Sequence, residues 1–425
     1  MAWLPFTTLF IDRNDLGRSL LVTTETLTQR KFNMENSVVI VDGVRTPMGG
    51  FQGDLNEVSM PELGATVIKE AVNRAGVKPE EIDEVIMGCI LTAGAGQSPA
   101  RQAMRKAGIP DATGAINVNK LCGSGMKAIM LGANSIRSGE FDIVVAGGME
   151  SMTNAPYVLP KARGGYRMGD GEIKDTMFLD GLKDADTGKL MGVFAQEMAD
   201  KRGITREAMD AFAIESLKRA NTAINEGHFK NEIVPVTVKT RKGDVVIDTD
   251  EQPGKANVDK IPTLKPAFSK DGTVTAANSS SISDGAAAVV LMSEDKAKEK
   301  GLKPLARIVA QATHSQHPSE FTIAPIECVK KVLAKAGWSK EDVDLWEINE
   351  AFAMVTMLAM QENDLDHAKV NIEGGACALG HPVGASGARI VVTLINSLKR
   401  TGGKKGIASL CIGGGEAVAL AIELI

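Results

Sequence analysis

Residues 117–139 read NVNKLCGSGMKAIMLGANSIRSG, and residues 140–150 continue EFDIVVAGGME. A short strand, a glycine turn and an amphipathic helix are followed by a β-branched strand, Asp142 to Ala146. That succession marks an α/β protein with crossover connections. Working outward, Val38 to Val41 reads as a first buried strand, Pro61 to Ala75 as a helix stopped by Gly76, Ile82 to Met87 as a strand and Pro99 to Gly108 as a helix. The second half echoes the first. AGVKPEEIDEVIMG (75–88) aligns without gaps with AGWSKEDVDLWEIN (336–349). The helix Met126 to Ser138 with its strand matches Arg389 to Arg400 with Ile407 to Cys411, and both strands run toward a Gly-rich turn, GGME or GGGE. Three matching elements in one order predict a duplicated α/β unit.

Between the halves, roughly 152 to 281, the text changes. A charged, Gly-rich stretch (161–192) precedes a helical section, Gln196 to Glu226, and a basic turn, KTRKGD. This reads as an inserted lid that supplies a substrate wall. The expected organisation is an N-terminal extension at 1–34, a first half at 35–151, the lid at 152–281, a return to the first half at 282–304 and a second half at 305–425. Trp3 to Ile11 is apolar, but the acids that follow fit neither a secretory signal nor a transit peptide. At Met34 the text reads as a natural beginning, so the extension is expected to be a start-site artefact or disordered.

Among 425 residues, 53 acids against 48 bases leave a net charge of −5, without the basic excess of a nucleic-acid protein. No apolar run reaches the ~18 residues of a membrane span. Five cysteines without CxxC spacing argue against a disulfide framework or a zinc site. A reducing, cytoplasmic setting is expected.

Cys122 lies between strand and helix, where Gly123 and Gly125 permit a sharp turn. The helix macrodipole there favours thiolate; local sequence alone reads equally well as a small residue packed at a turn. His381, in GGACALGHPVGASGAR (374–389), fits a base by its pKa, although taken alone it reads better as a cap of the next helix. Cys411 ends a strand and enters three glycines, whose N–H groups can hold an oxyanion. Buried strand cysteines are usually inert, but ligands of open α/β sheets sit beyond strand carboxyl ends. Asn349 follows such a strand, where it can position a water or cap a helix. No GxGxxG follows the first strand, which rejects a dinucleotide-binding reading.

VVIVDGVRTPMGG, NVNKLCGSGMKA, GGMESM, NEAFA, GGACALGHPVGASGAR and CIGGGEAVAL stand in the order found in thiolases. The chain resembles that family over about residues 35–425. The resemblance implies a duplicated thiolase fold, two similar βαβ-type halves layered α/β/α/β/α with an inserted lid. It implies that Cys122 is the acylated nucleophile, His381 its activating base and a thioester-oxygen ligand, and Cys411 the acid/base acting on the acetyl methyl carbon. Asn349 would hold an oxyanion-hole water. The N–H groups of Cys122 and Gly413 would form a second oxyanion hole. Ser280 would contact coenzyme A and Met191 would line the acyl pocket. Acetyl-CoA, acetoacetyl-CoA or other 3-ketoacyl-CoA, and CoA are the implied substrates, with no metal or redox cofactor, in a homo-oligomer (dimer or tetramer).

Four positions depart from the pattern. Leu190 replaces a His beside the pantetheine arm, and Lys255 stands in for an Arg near the adenine. Ser281 replaces a common Gly, and Glu416 puts a charge near Cys411. CGSGM with NAPY (154–157) resembles acetoacetyl-CoA thiolases. A broad-chain 3-ketoacyl-CoA thiolase of β-oxidation is the second reading. A ketoacyl synthase, which lacks the second cysteine, is the third.

Overall fold

The structure is a computed structural model that describes residues 37–425; the expectation for residues 1–34 lies outside the described residues. The β-branched run VVIV opens β1 (Val38–Arg45), which is buried on nearly every position, as befits a strand covered on both faces. Helix α1 (Met60–Ala75) starts where Glu62 reaches back to the Ser59 N–H at 3.0 Å. It stops where Gly76 turns left-handed, φ 67. Then come β2 (Glu84–Gly88), α2 (Pro99–Lys106), β3 (Gly114–Val118), α3 (Ser124–Arg137) and β4 (Ile143–Ser151). The segment that follows carries α4 (Met191–Arg202), α5 (Arg206–Glu226) and a hairpin of Val236–Thr240 against Gly243–Ile247. The rest is β5 (Ser283–Ser293), β6 (Ala306–Ser315), α6 (Ala324–Ala336), β7 (Leu345–Ile348), α7 (Ala353–Asn363), α8 (Ala376–Leu379), α9 (Ser386–Thr401), β8 (Lys405–Ile412) and β9 (Glu416–Leu424).

The strands form one mixed sheet of ten in the order β7-β8-β9-β6-β1-β5-β4-β2-β3, with the short pair Gly49–Gly50 alongside β5. The duplication is visible in this order. Outward from the antiparallel β1–β6 junction, each half runs antiparallel, antiparallel, parallel. In the first half β3 completes the edge; in the second, a single parallel bridge from Trp346 to Val370 stands in its place. The aligned stretches coincide in detail, since α6 also ends at a left-handed glycine, Gly337, with φ 67.

Helices α3 and α9 form the middle layer. Ile129 and Ile136 from one, and Val391, Leu394 and Leu398 from the other, bury against strands of both halves. Each such side chain contributes about 1.5–3 kcal/mol. Helices α1 and α2 cover the outer face of the first half through Leu63, Val67 and Met104. Helix α6 covers the second through Val329 and Val332. The layering is therefore α/β/α/β/α.

One local reading needs correction. GGME (147–150) is not a turn but the interior of β4. A Cβ on Gly147 would lie 2.1 Å from Ala287 O, and one on Gly148 would lie 2.0 Å from Gly384 O. These glycines exist for close packing, not for bending. The helical section Gln196 to Glu226 is present as two helices, with Gly203 at φ 63 separating α4 from α5. Where the second half turns from β8 to β9 in three residues, the first inserts the whole of 152–282 between β4 and β5. Arg45 of β1, fully buried, fastens that insertion: it pairs with Glu232 and bridges both Asp250 oxygens at 2.7 and 2.9 Å.

Candidate active site

Cys122 sits on a strained turn between β3 and α3. Leu121 before it is left-handed, φ 44, a conformation that costs of order 1–3 kcal/mol for a side-chain-bearing residue. Asn119 Oδ1 steadies it by accepting from the Leu121 N–H at 3.1 Å. The Ser124 hydroxyl accepts from Lys120 N–H at 2.8 Å and donates to Leu121 O at 2.7 Å. The glycines after the cysteine let two distant segments approach. A Cβ on Gly123 would meet the Ile412 side chain at 2.4 Å, and one on Gly125 would meet Ala388 N at 2.8 Å and Gly384 O at 2.9 Å. The first turn of α3 therefore abuts both the end of β8 and the segment after His381.

The N–H groups of Gly413 and of Cys122 itself lie near enough to the Cys122 sulfur to favour its thiolate. The residue keeps some exposure, but its sulfur lies deep. Burial pushes the thiol up to about 11, and those two N–H groups only partly offset it. Burial, not the helix terminus, thus decides the resting form, a neutral thiol that needs a base. Cys411 is fully buried at the end of β8 among Phe194, Phe352 and Met354. Burial, then the negative charge of an ionised Cys122, holds its thiol well above the usual range. The two sulfurs are therefore electrostatic neighbours across the turn at Gly413, and Gly414 and Gly415 make that turn at φ 83 and 87.

His381 follows α8 and is 5% exposed. Burial, then the charge of Arg389, pushes its imidazole down to about 3, so it is neutral at physiological pH. Nδ1 lies 2.5 Å from Ser386 Oγ, and the Ser386 hydroxyl donates to Pro382 O at 3.0 Å. With its proton on Pro382 O, Ser386 accepts from Nδ1–H, which leaves the Nε2 lone pair free to take a proton. Nε2 is buried without a hydrogen-bond partner among the described residues, and so are both side-chain atoms of Asn349. Unpaired buried polar atoms are costly, so their grouping on two segments of one region points to ligand chemistry. The Asn349 N–H bonds Ser409 O at 3.0 Å, which puts Asn349 beside β8, two residues before Cys411.

The insertion supplies the remaining wall. Ser280 donates both its N–H and its hydroxyl to Ala351 O, each at 3.0 Å. Next to it, Ser281 O accepts from the His381 N–H, and Ser281 Oγ lies 3.1 Å from Ser283 Oγ. Met191 opens α4 with its sulfur 3.2 Å from where a Cβ on Gly413 would be. Leu190 is its half-buried N-cap, with non-helical φ and ψ. Lys255 lines a cavity of about 340 Å³ with Ser281 and Cys377. Its ammonium is held by Glu251 at 2.5 Å and Asp54 at 3.5 Å, so it offers little free charge to a phosphate. Glu416 is not stranded: it pairs with Lys120 at 2.6 Å and accepts from Ser315 Oγ at 3.0 Å.

Sequence reading missed Glu150 and Ser386, and gave Glu350, beside Asn349 at its strand end, no role. Glu150 is fully buried and accepts from the N–H groups of Ile90, Leu91 and Gly384 at 3.0–3.1 Å, tying the His381 segment to the first half. Burial pushes its carboxyl up to about 7 against the pull of those N–H donors. The glycines of GGMESM were the available signal. Among the described residues, no three His, Cys, Asp or Glu side chains gather as a metal site requires.

Family comparison agrees with this geometry. The family model "Thiolase, N-terminal domain" matches residues 38–295, and "Thiolase, C-terminal domain" matches 302–424. The chain belongs to the thiolase family. An acetyl-CoA acetyltransferase of Cupriavidus necator is 54% identical over 91% of this chain and 99% of its own length. A Mus musculus relative named cytosolic acetyl-CoA acetyltransferase is 51% identical over 91% of this chain and 98% of its own. The crystal structure of the Bacillus anthracis acetyl-CoA acetyltransferase superposes with a TM-score of 0.90 at 47% identity, covering 92% of this thiolase and 99% of that chain.

Proposed function

We propose that this thiolase is an acetyl-CoA C-acetyltransferase, interconverting two acetyl-CoA with acetoacetyl-CoA and CoA through an acetyl group on Cys122. The observation that carries the reading is the convergence on one glycine-lined turn: Gly123, next to Cys122, packs on Ile412, which stands between Cys411 and Gly413, and Gly413 packs beside Leu121. The relatives' shared name supports the short-chain activity over broad-chain β-oxidation.

In the degradative direction, His381 Nε2 takes the Cys122 proton, and the thiolate attacks the keto carbon of acetoacetyl-CoA. The N–H groups of Cys122 and Gly413 hold the oxyanion; removing one such donor elsewhere costs about 3–4 kcal/mol. The C2–C3 bond breaks. The departing acetyl-CoA enolate, held by His381 and a water on Asn349, takes the Cys411 proton. CoA then gives its thiol proton to the Cys411 thiolate and takes the acetyl group from Cys122, whose released thiolate recovers its proton from His381, so the kinetics are ping-pong. The high Cys411 pKa suits this exchange, since its thiolate is basic enough to take the methyl proton in the synthetic direction. CoA is a substrate, and no metal or redox cofactor enters these steps. Ser280, Met191 and Leu190 would flank the pantetheine and acyl group, with Lys255 at the rim.

A cytoplasmic homo-oligomer, a dimer or tetramer serving fatty-acid metabolism, completes the reading. No helix among the described residues is long and apolar enough to cross a membrane. The edge strand β3 presents exposed Ile116, and the insertion presents Tyr157, Leu159, Met168 and Ile173, surface that a second copy would cover. Thiolysis and condensation rates across acyl lengths test the assignment. Activity confined to four-carbon substrates is expected; equal rates at eight carbons or longer would overturn the short-chain reading.

A further inference from the structure

Glu350 is 1% exposed and touches none of the groups given a chemical step above. Its carboxylate nevertheless collects three donors from three parts of the chain. Oε1 accepts from Asn371 Nδ2 at 2.9 Å, and Oε2 accepts from the Ser216 hydroxyl at 2.7 Å and the Cys377 N–H at 3.1 Å. We propose that Glu350 is a positioning residue that locks Asn349, the segment leading to His381 and the insertion helix α5 into one register. The proposal rests on the thiolase chemistry assigned to Asn349 and His381.

Each contact reaches a chemical group by a short path. Asn371 fixes the end of β7 on both sides, accepting from the Ile348 N–H and donating to Ile348 O, each at 2.8 Å. Asn349 is the next residue. Asn371 does this from a left-handed backbone, φ 48, a strain that persists only where surroundings over-determine it. Cys377 belongs to α8, four residues before His381. Ser216 belongs to α5 and is a bridge: it donates to Glu350 and accepts from the Gly375 N–H at 2.9 Å. The two glycines before α8 leave room for this. A Cβ on Gly375 would lie 2.2 Å from the Glu350 carboxyl carbon, and one on Gly374 would lie 2.5 Å from Ser216 O.

A carboxylate is required here, because all three partners donate. Glutamine would turn an NH2 toward the Asn371 NH2 or toward Ser216 and Cys377. Asn371 cannot flip to receive it, since both its ends are committed to Ile348. One mismatched donor in a buried network forces movement of the groups around it. Here those groups are the supports of Asn349 and His381.

The test compares Glu350→Gln and Ser216→Ala with the unsubstituted enzyme. The amplitude of the acetylation burst with acetyl-CoA counts competent sites, and the steady condensation rate is divided by that count. A merely structural role lowers the count and leaves the rate per site alone. Positioning lowers the rate per site, by about 100-fold for Glu350→Gln, the scale of a ~1 Å misplacement, and by about tenfold for Ser216→Ala. KM for acetyl-CoA should change much less than kcat. If Glu350→Gln does not fold, Ser216→Ala decides alone. Unchanged rates per site in the folded variants would overturn the proposal. The burst of the unsubstituted enzyme tests the Cys122 reading separately.

Discussion

Gly148→Ala should separate the two halves of the site without touching any reacting group. Gly148 lies in β4, and a methyl group added there would stand 2.0 Å from Gly384 O and 3.0 Å from Ala385 Cα. Ordinary contact begins near 3.4 Å, so one backbone must give way by more than about an ångström. The backbone of β4 is pinned on both sides by β5 and β2. The segment 382–385 is the one that can yield, and it carries His381 away from Cys122. Overpacking of this kind costs about 1–3 kcal/mol of stability. A displacement of about 1 Å costs about 100-fold in rate. Condensation should therefore fall about 100-fold per burst-titrated site, with only a modest loss in thermal midpoint. Gly164→Ala, where nothing lies within 4 Å, is the control and should be silent. A folded Gly148→Ala enzyme with a normal rate per site would refute the packing argument.

Ser386→Ala removes the partner of His381 Nδ1, and should slow alkylation of Cys122 by iodoacetamide about tenfold, the cost of an unmade buried hydrogen bond; an unchanged rate would deny Ser386 any hold on the base. His381 is depressed to about 3 in the folded state, so the unfolded chain binds the extra proton first. Its contribution to stability is therefore complete above about pH 6.5 and is lost as pH falls toward 3. Thermal melts should show the native protein losing more stability than His381→Gln over that window, and parallel curves would contradict the assignment. Glu150 has the opposite sign: raised to about 7, it favours the fold below about pH 4.5 and loses that contribution as pH rises to 7. Glu150→Gln should flatten the melting profile there. Glu416→Gln breaks a partly exposed pair with Lys120 and should cost no more than about 1 kcal/mol in denaturant titration.

Local signals carried much of the fold. The paired Ala-Gly stops at 76 and 337 marked the duplication, because a left-handed terminus needs glycine wherever it occurs. The Gly-flanked positions of Cys122, His381 and Cys411 were legible for a similar reason, since close backbone approach leaves a glycine trace. GGME misled because glycine in a tightly packed strand and glycine in a turn look alike in text. The buried carboxylates were hidden more deeply. Glu350 draws its partners from residues 216, 371 and 377, and Glu150 draws its own from 90, 91 and 384. No periodicity links such positions, so only the fold reveals that each carboxylate is satisfied. The thiol of Cys122 was misjudged for the same reason, as burial outweighing a helix terminus is a property of the packed site.

The most direct test of the account is to incubate the Cys411→Ser enzyme with acetyl-CoA, digest it, and locate the acetyl group by mass spectrometry. Without Cys411 to move the methyl proton, the account predicts acetyl accumulating on the peptide that carries Cys122, and none in a Cys122→Ser control. Acetyl on another residue, or persisting in that control, would contradict it.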